Sequence, residues 1–352
     1  MRQSGYLTFF NVNKCGLYRI AKTEPQGLEL SETFTKLKSW CESRPFEKTN
    51  PWDPKVNKNK TPCYCHKIHH DPKTGDFLLV LWKGETDKSG PLYGISINDD
   101  GSTAKVIKQT QSKFKKPVIW GRPCYYWVIP ELNCVTSLKF ENSRCDSAMF
   151  QEWVEGCINF RIPLPDLKKV TTETGLVRIE ITDDSDHPYR YLYHFNLGLR
   201  TVSTASAKLS ELARKVTHII RRETVSISST NSRQGFSKIF DKFSVPYASN
   251  SSKNRRVELK VEARPTAAEI KDIIDKHALQ SNAGGWEDTG FIVENGTKTI
   301  WARSYRLTDN ISVEDQGEDV LDAKALYEKI SENRARYLKP IRDDDKLAAS
   351  QA

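Results

Sequence analysis

Residues Thr61–Trp82 read TPCYCHKIHHDPKTGDFLLVLW, and the fold of the N-terminal half turns on that stretch. Two cysteines and three histidines fall between Thr61 and Asp71, enough nitrogen and sulfur to raise the question of a metal site. A structural zinc takes four converging ligands, usually from C-x₂₋₄-C pairs, and no second cysteine pair exists to complete one. Cys63, Tyr64, Cys65 and His66 alternate instead with the two-residue period of a strand, so that Cys63 and Cys65 share one face and His66 takes the other. Asp71-Pro72-Lys73-Thr74-Gly75-Asp76 is turn chemistry, and FLLVLW is the returning strand. The stretch is read as a β-hairpin with His69 and His70 at its turn. No metal is expected at Cys63, Cys65, His66 or His69.

Working outward, the first 163 residues read mainly as strands. GYLTFFNV, LYGISI, CYYWVI and NCVTSLKF are short, β-branched or aromatic, and bounded by Gly, Pro, Asn and Asp. Two helices interrupt them. Ser31 is a candidate N-cap for a helix that places Phe34, Leu37, Trp40 and Cys41 on one face. Asp146 opens a second, with Met149, Phe150, Trp153, Val154 and Cys157 at helical spacing, a core face rather than a cofactor box.

RIPLPDL, at 161–167, carries two prolines and is read as a domain junction. GLVRIEITDD and RYLYHFNLG follow as an antiparallel pair. Ser203 or Thr204 then caps an amphipathic helix, with Leu209, Leu212, Ala213, Val216, Ile219 and Ile220 on one face. Lys208, Arg214, Lys215, Arg221 and Arg222 line its other face. SNSSKNRR, at 249–256, is read as a polar loop feeding the strand VELKVEA. Thr266 and Glu269 form a capping box for the next helix, and Asn295-Gly296 centres a hairpin. A last helix runs through Leu321, Leu326 and Ile330, ahead of a polar tail after Pro340. The expected fold is α+β, with two domains at 1–163 and 164–352, each a mainly antiparallel sheet with helices packed on one side.

The 352 residues carry a net charge of +9, and its placement says more than its size. Residues 1–163 hold +7, 164–205 hold −1, the basic segment 206–264 holds +8, and the acidic tail 265–352 holds −5. Basic blocks of that size point to a polyanion, with a merely solvated surface as the alternative. No apolar run is long enough for a membrane span, and polar Asn11, Asn13 and Lys14 break up the N-terminus before a signal peptide could form. A cytoplasmic protein is expected, its eight cysteines reduced thiols.

One enzymatic pattern is present. Glu258-x-Lys260 on a strand, with Asp241 upstream, resembles the Asp…Glu-x-Lys set with which metal-dependent nucleases hold Mg²⁺ and assist the attacking water. The same residues alternate with Val257, Leu259 and Val261, as any solvated strand face would. Phosphate loops, dinucleotide fingerprints and nucleophile elbows are missing from the sequence. The catalytic expectation is therefore none, with no cofactor and the nuclease as alternative; a protein–protein adaptor is the third reading. The nucleic-acid candidates are two basic loops: Lys113, Lys115 and Lys116 in KVIKQTQSKFKKP, and Lys253, Arg255 and Arg256 in SSKNRR. Long cations on polar loops follow phosphates and position a duplex without reading it.

The element order adds a resemblance. GYLTFFNVNK, CHKI…GDFLLVLWKGE and GRPCYYWVIPELNCVTSLKF followed by a helix resemble the first domain of the RexA-like phage-exclusion proteins. HIIRRETVSISS, VELKVEARPTAAEIKDII and TGFIVENGTKTIWARSYRLTDNISV resemble the second. The likeness covers most of the chain and leaves insertions near 50–60 and 175–200 unmatched. It implies a non-enzymatic, homodimeric protein that binds double-stranded DNA in anti-phage defence and signals to a small membrane effector. It assigns no binding residue.

Overall fold

The computed structural model describes residues 2–19, 22–42, 44–53, 57, 60–85, 92–97, 106–108, 117–165, 167–181, 189–200, 203–226, 254–280, 288–293, 298–302, 307–314 and 320–351. The fold is α+β, and every pairing between its strands is antiparallel among these residues. The chain divides into unit 1, residues 1–203 and 306–352, and unit 2, residues 204–305.

Unit 1 is built on an eleven-stranded sheet. Its strands are β1 (Arg2–Arg19), β2 (Cys63–His70), β3 (Phe77–Gly84), β4 (Tyr93–Ser96), β5 (Ile107–Lys108), β6 (Val118–Ile129) and β7 (Cys134–Lys139), then β8 (Lys168–Thr171), β9 (Val177–Ile181), β10 (Tyr189–Leu199) and β15 (Thr308–Glu314). The main path is β2-β3-β6-β7-β1-β10-β9-β8, with β15 on β1 and β4 on β6. The hairpin expected at Thr61–Trp82 is β2–β3, with His69 opposite Leu78 and His70 opposite Phe77. Both histidines therefore sit inside the ladder rather than at the turn. A bulge interrupts the register at His66.

The central strands are buried on both faces, which is why FLLVLW reads as an unbroken apolar run. On one face Phe34 of α1 (Leu30–Cys41) meets Phe77 at 5.9 Å and Phe150 of α2 (Ser147–Gly156) at 6.1 Å, while Tyr126 stacks on Phe150 at 4.1 Å. On the other, Leu78, Val80, Trp82, Tyr125 and Trp127 share a core with residues of α5 (Ala323–Glu332) and α6 (Arg334–Gln351). Helices thus cover both faces, not one, because the C-terminal segment returns to this sheet. Asp146 caps α2 as expected, accepting from the Met149 N–H at 2.9 Å. For α1 the N-cap position is Glu29, not Ser31, and the Glu32 carboxylate instead accepts from the Leu28 N–H.

Unit 2 carries the four-stranded sheet β12-β11-β13-β14, from β11 (His218–Ser226), β12 (Asn254–Glu262), β13 (Asp288–Val293) and β14 (Lys298–Trp301). Its helices are α3, assigned from Ser203 to Lys215, and α4 (Ala267–Gln280). The capping box is formed: the Thr266 N–H donates to Glu269 at 2.7 Å and the Glu269 N–H to Thr266 Oγ1 at 3.2 Å. β13 and β14 pair antiparallel, Val293 with Lys298, while Asn295-Gly296, expected between them, lies outside the described residues. The helix read through Ile220 stops at Lys215, and β-branched Val216, Thr217, Ile219 and Ile220 lead into β11 instead.

The domain boundary differs from 163/164. RIPLPDL leads into β8, β9 and β10 of the same sheet, so it is no junction. Unit 2 is an insertion in the chain between β10 and β15 of unit 1. Arg200, just after β10, donates its N–H to Phe9 C=O at 2.9 Å, and the Phe9 N–H donates to Leu307 C=O at 3.2 Å. Arg200 and Leu307 are themselves joined by the Leu307 N–H to Arg200 C=O bond, 3.0 Å. In an ordinary ladder one residue would supply both groups opposite Phe9. Here the N–H comes from Arg200 and the C=O from Leu307, so β10 and β15 continue one another along β1 with unit 2 spliced between them.

The segment after Pro340 is not a polar tail either. It belongs to α6, which buries Tyr337, Leu338 and Ile341. Asp343 pairs with Lys339 at 2.7 Å and Asp345 with Arg200 at 2.5 Å.

Candidate nucleic-acid interface

Of the sequence-predicted cations, Lys113, Lys115, Lys116 and Lys253 lie outside the described residues, as does Asp241. Arg255 and Arg256 are described in backbone, and they belong to a strand rather than a loop. Arg255 pairs with Val225 and Arg256 with Thr224 across the β11–β12 ladder. The Ser/Asn-rich run that suggested a loop gives way at Asn254, where β11 supplies hydrogen-bonding partners. Consecutive strand positions fall on opposite faces of a sheet, so the two arginine positions do not form one cluster.

The ribbon that holds them carries further polar residues. Arg222 is opposite Glu258, and its Nε donates to Glu258 Oε2 at 2.6 Å. The same guanidinium lies over the Trp301 ring, 4.1 Å from its centroid. Trp301 can lie there because Gly290 is its partner in the β13–β14 ladder. A Cβ at Gly290 would come within 2.9 Å of the indole and 2.6 Å of Thr299 Cγ2. Stacking and a charge-assisted bond together fix the guanidinium plane. Lys260 lies two positions along β12 from Glu258, on the same face, and is exposed. Exposed Arg214 on α3, Arg221 on β11 and Arg264 after β12 extend the basic character of the unit.

The nuclease set is not assembled among the described residues. Glu258 is held by Arg222, and no group of three or more His, Cys, Asp or Glu there is placed to hold a metal ion. The arrangement offers cations on a sheet surface, suited to an anionic backbone. Sequence reading missed Arg222, Trp301 and Gly290 as a unit, because residues so far apart in sequence meet only through the strand order; the alternation in HIIRRETVS was the available signal for β11.

In the hairpin, Cys63 and Cys65 are buried core thiols, and burial pushes Cys63 well above the usual thiol range. His70 stacks on Phe77 at 4.3 Å and His69 lies 5.3 Å from the Tyr327 ring, which are packing roles. No helix among the described residues is long and apolar enough to cross a membrane. Compared with known families and curated proteins, the chain matches no family model and no curated protein.

Proposed function

We propose that the chain is a cytoplasmic DNA-binding protein that holds the duplex by its phosphate backbone, without reading sequence, through unit 2. The observation that carries this is charge: unit 2 has 17 Lys and Arg against 11 Asp and Glu, whereas the rest of the chain has 37 against 34. Exposed cations on a sheet and helix surface supply the salt-dependent, sequence-independent term of DNA affinity. Lys113, Lys115 and Lys116 remain candidates for further phosphate contacts from unit 1.

The test is a duplex titration at several salt concentrations with unrelated sequences. Each phosphate neutralised contributes about −0.9 to the slope of log K against log[salt], so about five contacts from the cations of unit 2 give a slope of about −4 to −5. Because their positions fall on opposite faces, Arg255→Ala and Arg256→Ala should differ, one flattening the slope by about 1 and the other leaving it. Binding that is absent near physiological salt, or indifferent to salt, would leave the basic surface as a solvated one.

The resemblance to phage-exclusion proteins supports a role for this binding as the sensing step of a defence system that signals to a small membrane effector. Phage plating efficiency on cells with and without the chain and its neighbouring gene products tests that role. Equal plating across a panel of phages would remove it.

A further inference from the structure

β10 alternates cleanly between its two faces. Tyr191, Tyr193, Phe195 and Leu197 are buried, whereas Leu192 and His194 are half-buried and Arg190 and Asn196 are exposed. Arg200 has the parity of the second set and bonds to Ile341 C=O and Asp345 of α6, so that set lies on the side of the sheet that α5 and α6 cover farther along. Its ladder partners extend the open face over four strands. On β1, Lys14 is opposite Asn196, Gly16 opposite His194 and Tyr18 opposite Leu192. On β9, Glu180 is opposite Arg190, and Lys168 and Val170 of β8 are opposite Glu180 and Arg178. At about 4.8 Å between strands and 3.4 Å per residue, the face measures about 14 Å by 20 Å. Its β9 and β10 fall near 175–200, a part of the chain that the phage-exclusion resemblance leaves unmatched.

Cations stand around this face: Lys14, Lys168, Arg178 and Arg190. Against them its strands carry one carboxylate, Glu180, which accepts from Arg190 Nε at 3.2 Å, and the Arg190 side chain is still 58% exposed. No carboxylate among the described residues pairs with Lys14, Lys168 or Arg178. Asp183, Asp184 and Asp186, in the connection from β9 to β10, lie outside the described residues. Between Arg190 and the Lys14–Asn196 pair lie Leu192 and the His194 ring, 5.9 Å from the Tyr18 ring. Burial, with Lys14 nearby, holds His194 below its usual 6.5, so it is an uncharged ring at neutral pH. Cations around a strip of ring and apolar surface fit a chain of phosphates whose bases are unpaired: the cations follow the backbone, and a base stacks on the strip. A duplex keeps its base faces inside its own stack and would leave that strip unused.

We infer that the open face of β1, β10, β9 and β8 binds single-stranded DNA, with phosphates on Lys14, Lys168, Arg178 and Arg190 and bases across Leu192 and His194. The site lies in unit 1, apart from the duplex contacts proposed for unit 2. Only the choice of deoxyribose rests on the proposed function; the face itself does not. A DNA that carries both paired and unpaired segments then offers a ligand to each unit.

Anisotropy titration of the full chain with labelled oligothymidylate is the test. Four phosphates at about −0.7 each give a slope of about −3 in log K against log[salt]. Lys168→Ala with Arg178→Ala should weaken binding and flatten that slope by about 1.4. His194→Ala should weaken it about five- to a hundredfold and leave the slope alone, the mark of a lost stack rather than a lost charge. Unlabelled duplex should not displace the oligonucleotide one for one. The substituted side chains are exposed or half-buried, and circular dichroism checks that each variant folds. A wild-type chain that fails to bind near physiological salt, binding unchanged in the folded variants, or stoichiometric displacement by duplex would each overturn the inference. So would tighter binding of oligouridylate. Binding that appears only with Asp183→Asn, Asp184→Asn and Asp186→Asn would make the chain's own acidic connection the occupant, and would overturn it too. Oligothymidylate held in this way by a chain that ignores duplex would remove the proposed duplex binding and leave this site standing; duplex bound by a chain that ignores oligothymidylate would do the reverse.

Discussion

Replacing Arg334 by alanine is expected to destabilise unit 1 more than any substitution on its surface. Asp76, in the turn before β3, is fully buried. Its carboxylate accepts from Arg334 Nε at 2.8 Å and Nη2 at 2.9 Å, from Trp127 Nε1 at 2.9 Å and from the Tyr327 hydroxyl at 3.2 Å. Arg334 is the only cation in that set; the other two donors are neutral. Its removal leaves a buried charge without a counterion, which costs about 3–5 kcal/mol, far above the fraction of a kcal/mol typical of an exposed pair. For a unit of this size each kcal/mol moves the melting temperature by about 2–4 °C, so a fall of roughly 6–20 °C is expected. Thermal unfolding followed by tryptophan fluorescence is the assay, because Trp127 reports from the network itself. Asp76→Asn added to Arg334→Ala removes the stranded charge and should recover a good part of the loss. A single variant melting within a degree or so of the wild type would refute the reasoning, as would a double variant no better than the single one.

Other outcomes follow from the same geometry. Arg334, with Arg342, holds the Glu131 carboxyl below its usual 4.5. Its stabilising contribution is therefore present above that pH and lost as pH falls through the depressed value. Glu131 is half exposed, so the contribution is under about 1 kcal/mol; the urea midpoints of wild type and Glu131→Gln should differ at neutral pH and converge in acid, and a gap independent of pH would argue against it. Burial lowers His69 and His194 below 6.5, so the unfolded chain binds more protons in the window beneath that value and stability should fall with pH there; a flat profile between neutrality and that window's lower end in the chain, unaltered by His69→Gln, would contradict it. Gly290→Ala should displace Trp301 from Arg222 at a cost of about 1–3 kcal/mol, read as a shifted tryptophan emission and a lower urea midpoint. An unchanged emission spectrum would show that the indole does not lie across Gly290.

What the sequence disclosed and what it hid divide along the distance over which each signal acts. The β2–β3 hairpin, the Asp146 cap and the Thr266–Glu269 box were legible because each is decided within a few residues by alternation, turn chemistry or a capping side chain. The first residues of β11, His218–Arg222, were misread as the end of a helix because Ile219 and Ile220 fit either period, and the pairing with β12 and β13 decided for strand. α6 was hidden by Pro340, which lacks an N–H and ordinarily ends a helix. Burial of Tyr337, Leu338 and Ile341 on unit 1 outweighs that local preference. The candidate site was partly legible. Arg255 and Arg256 were picked out as cations, but their strand setting and the Arg222–Trp301–Glu258 contacts follow from pairings no local pattern encodes. Nor does anything near Arg200 announce that its edge strand resumes at Leu307.

That splice ties the energetics of the two units together through the chain alone. Arg200 and Leu307 are hydrogen-bonded neighbours within unit 1, and a folded unit 2 leaves the chain between them far less loop entropy to lose when β15, α5 and α6 dock. Were unit 2 to melt, residues 201–306 would become a flexible loop whose ends unit 1 must still hold together at Phe9. Closing a loop of about 100 residues costs roughly 4 kcal/mol by the (3/2)RT ln n relation. That penalty would fall on β15 and the helices after it, including the Arg334 anchor on Asp76. A ligand that stabilises unit 2 therefore tightens the C-terminal part of unit 1 without touching it, and hydrogen exchange in α5 and α6 would slow when unit 2 is occupied.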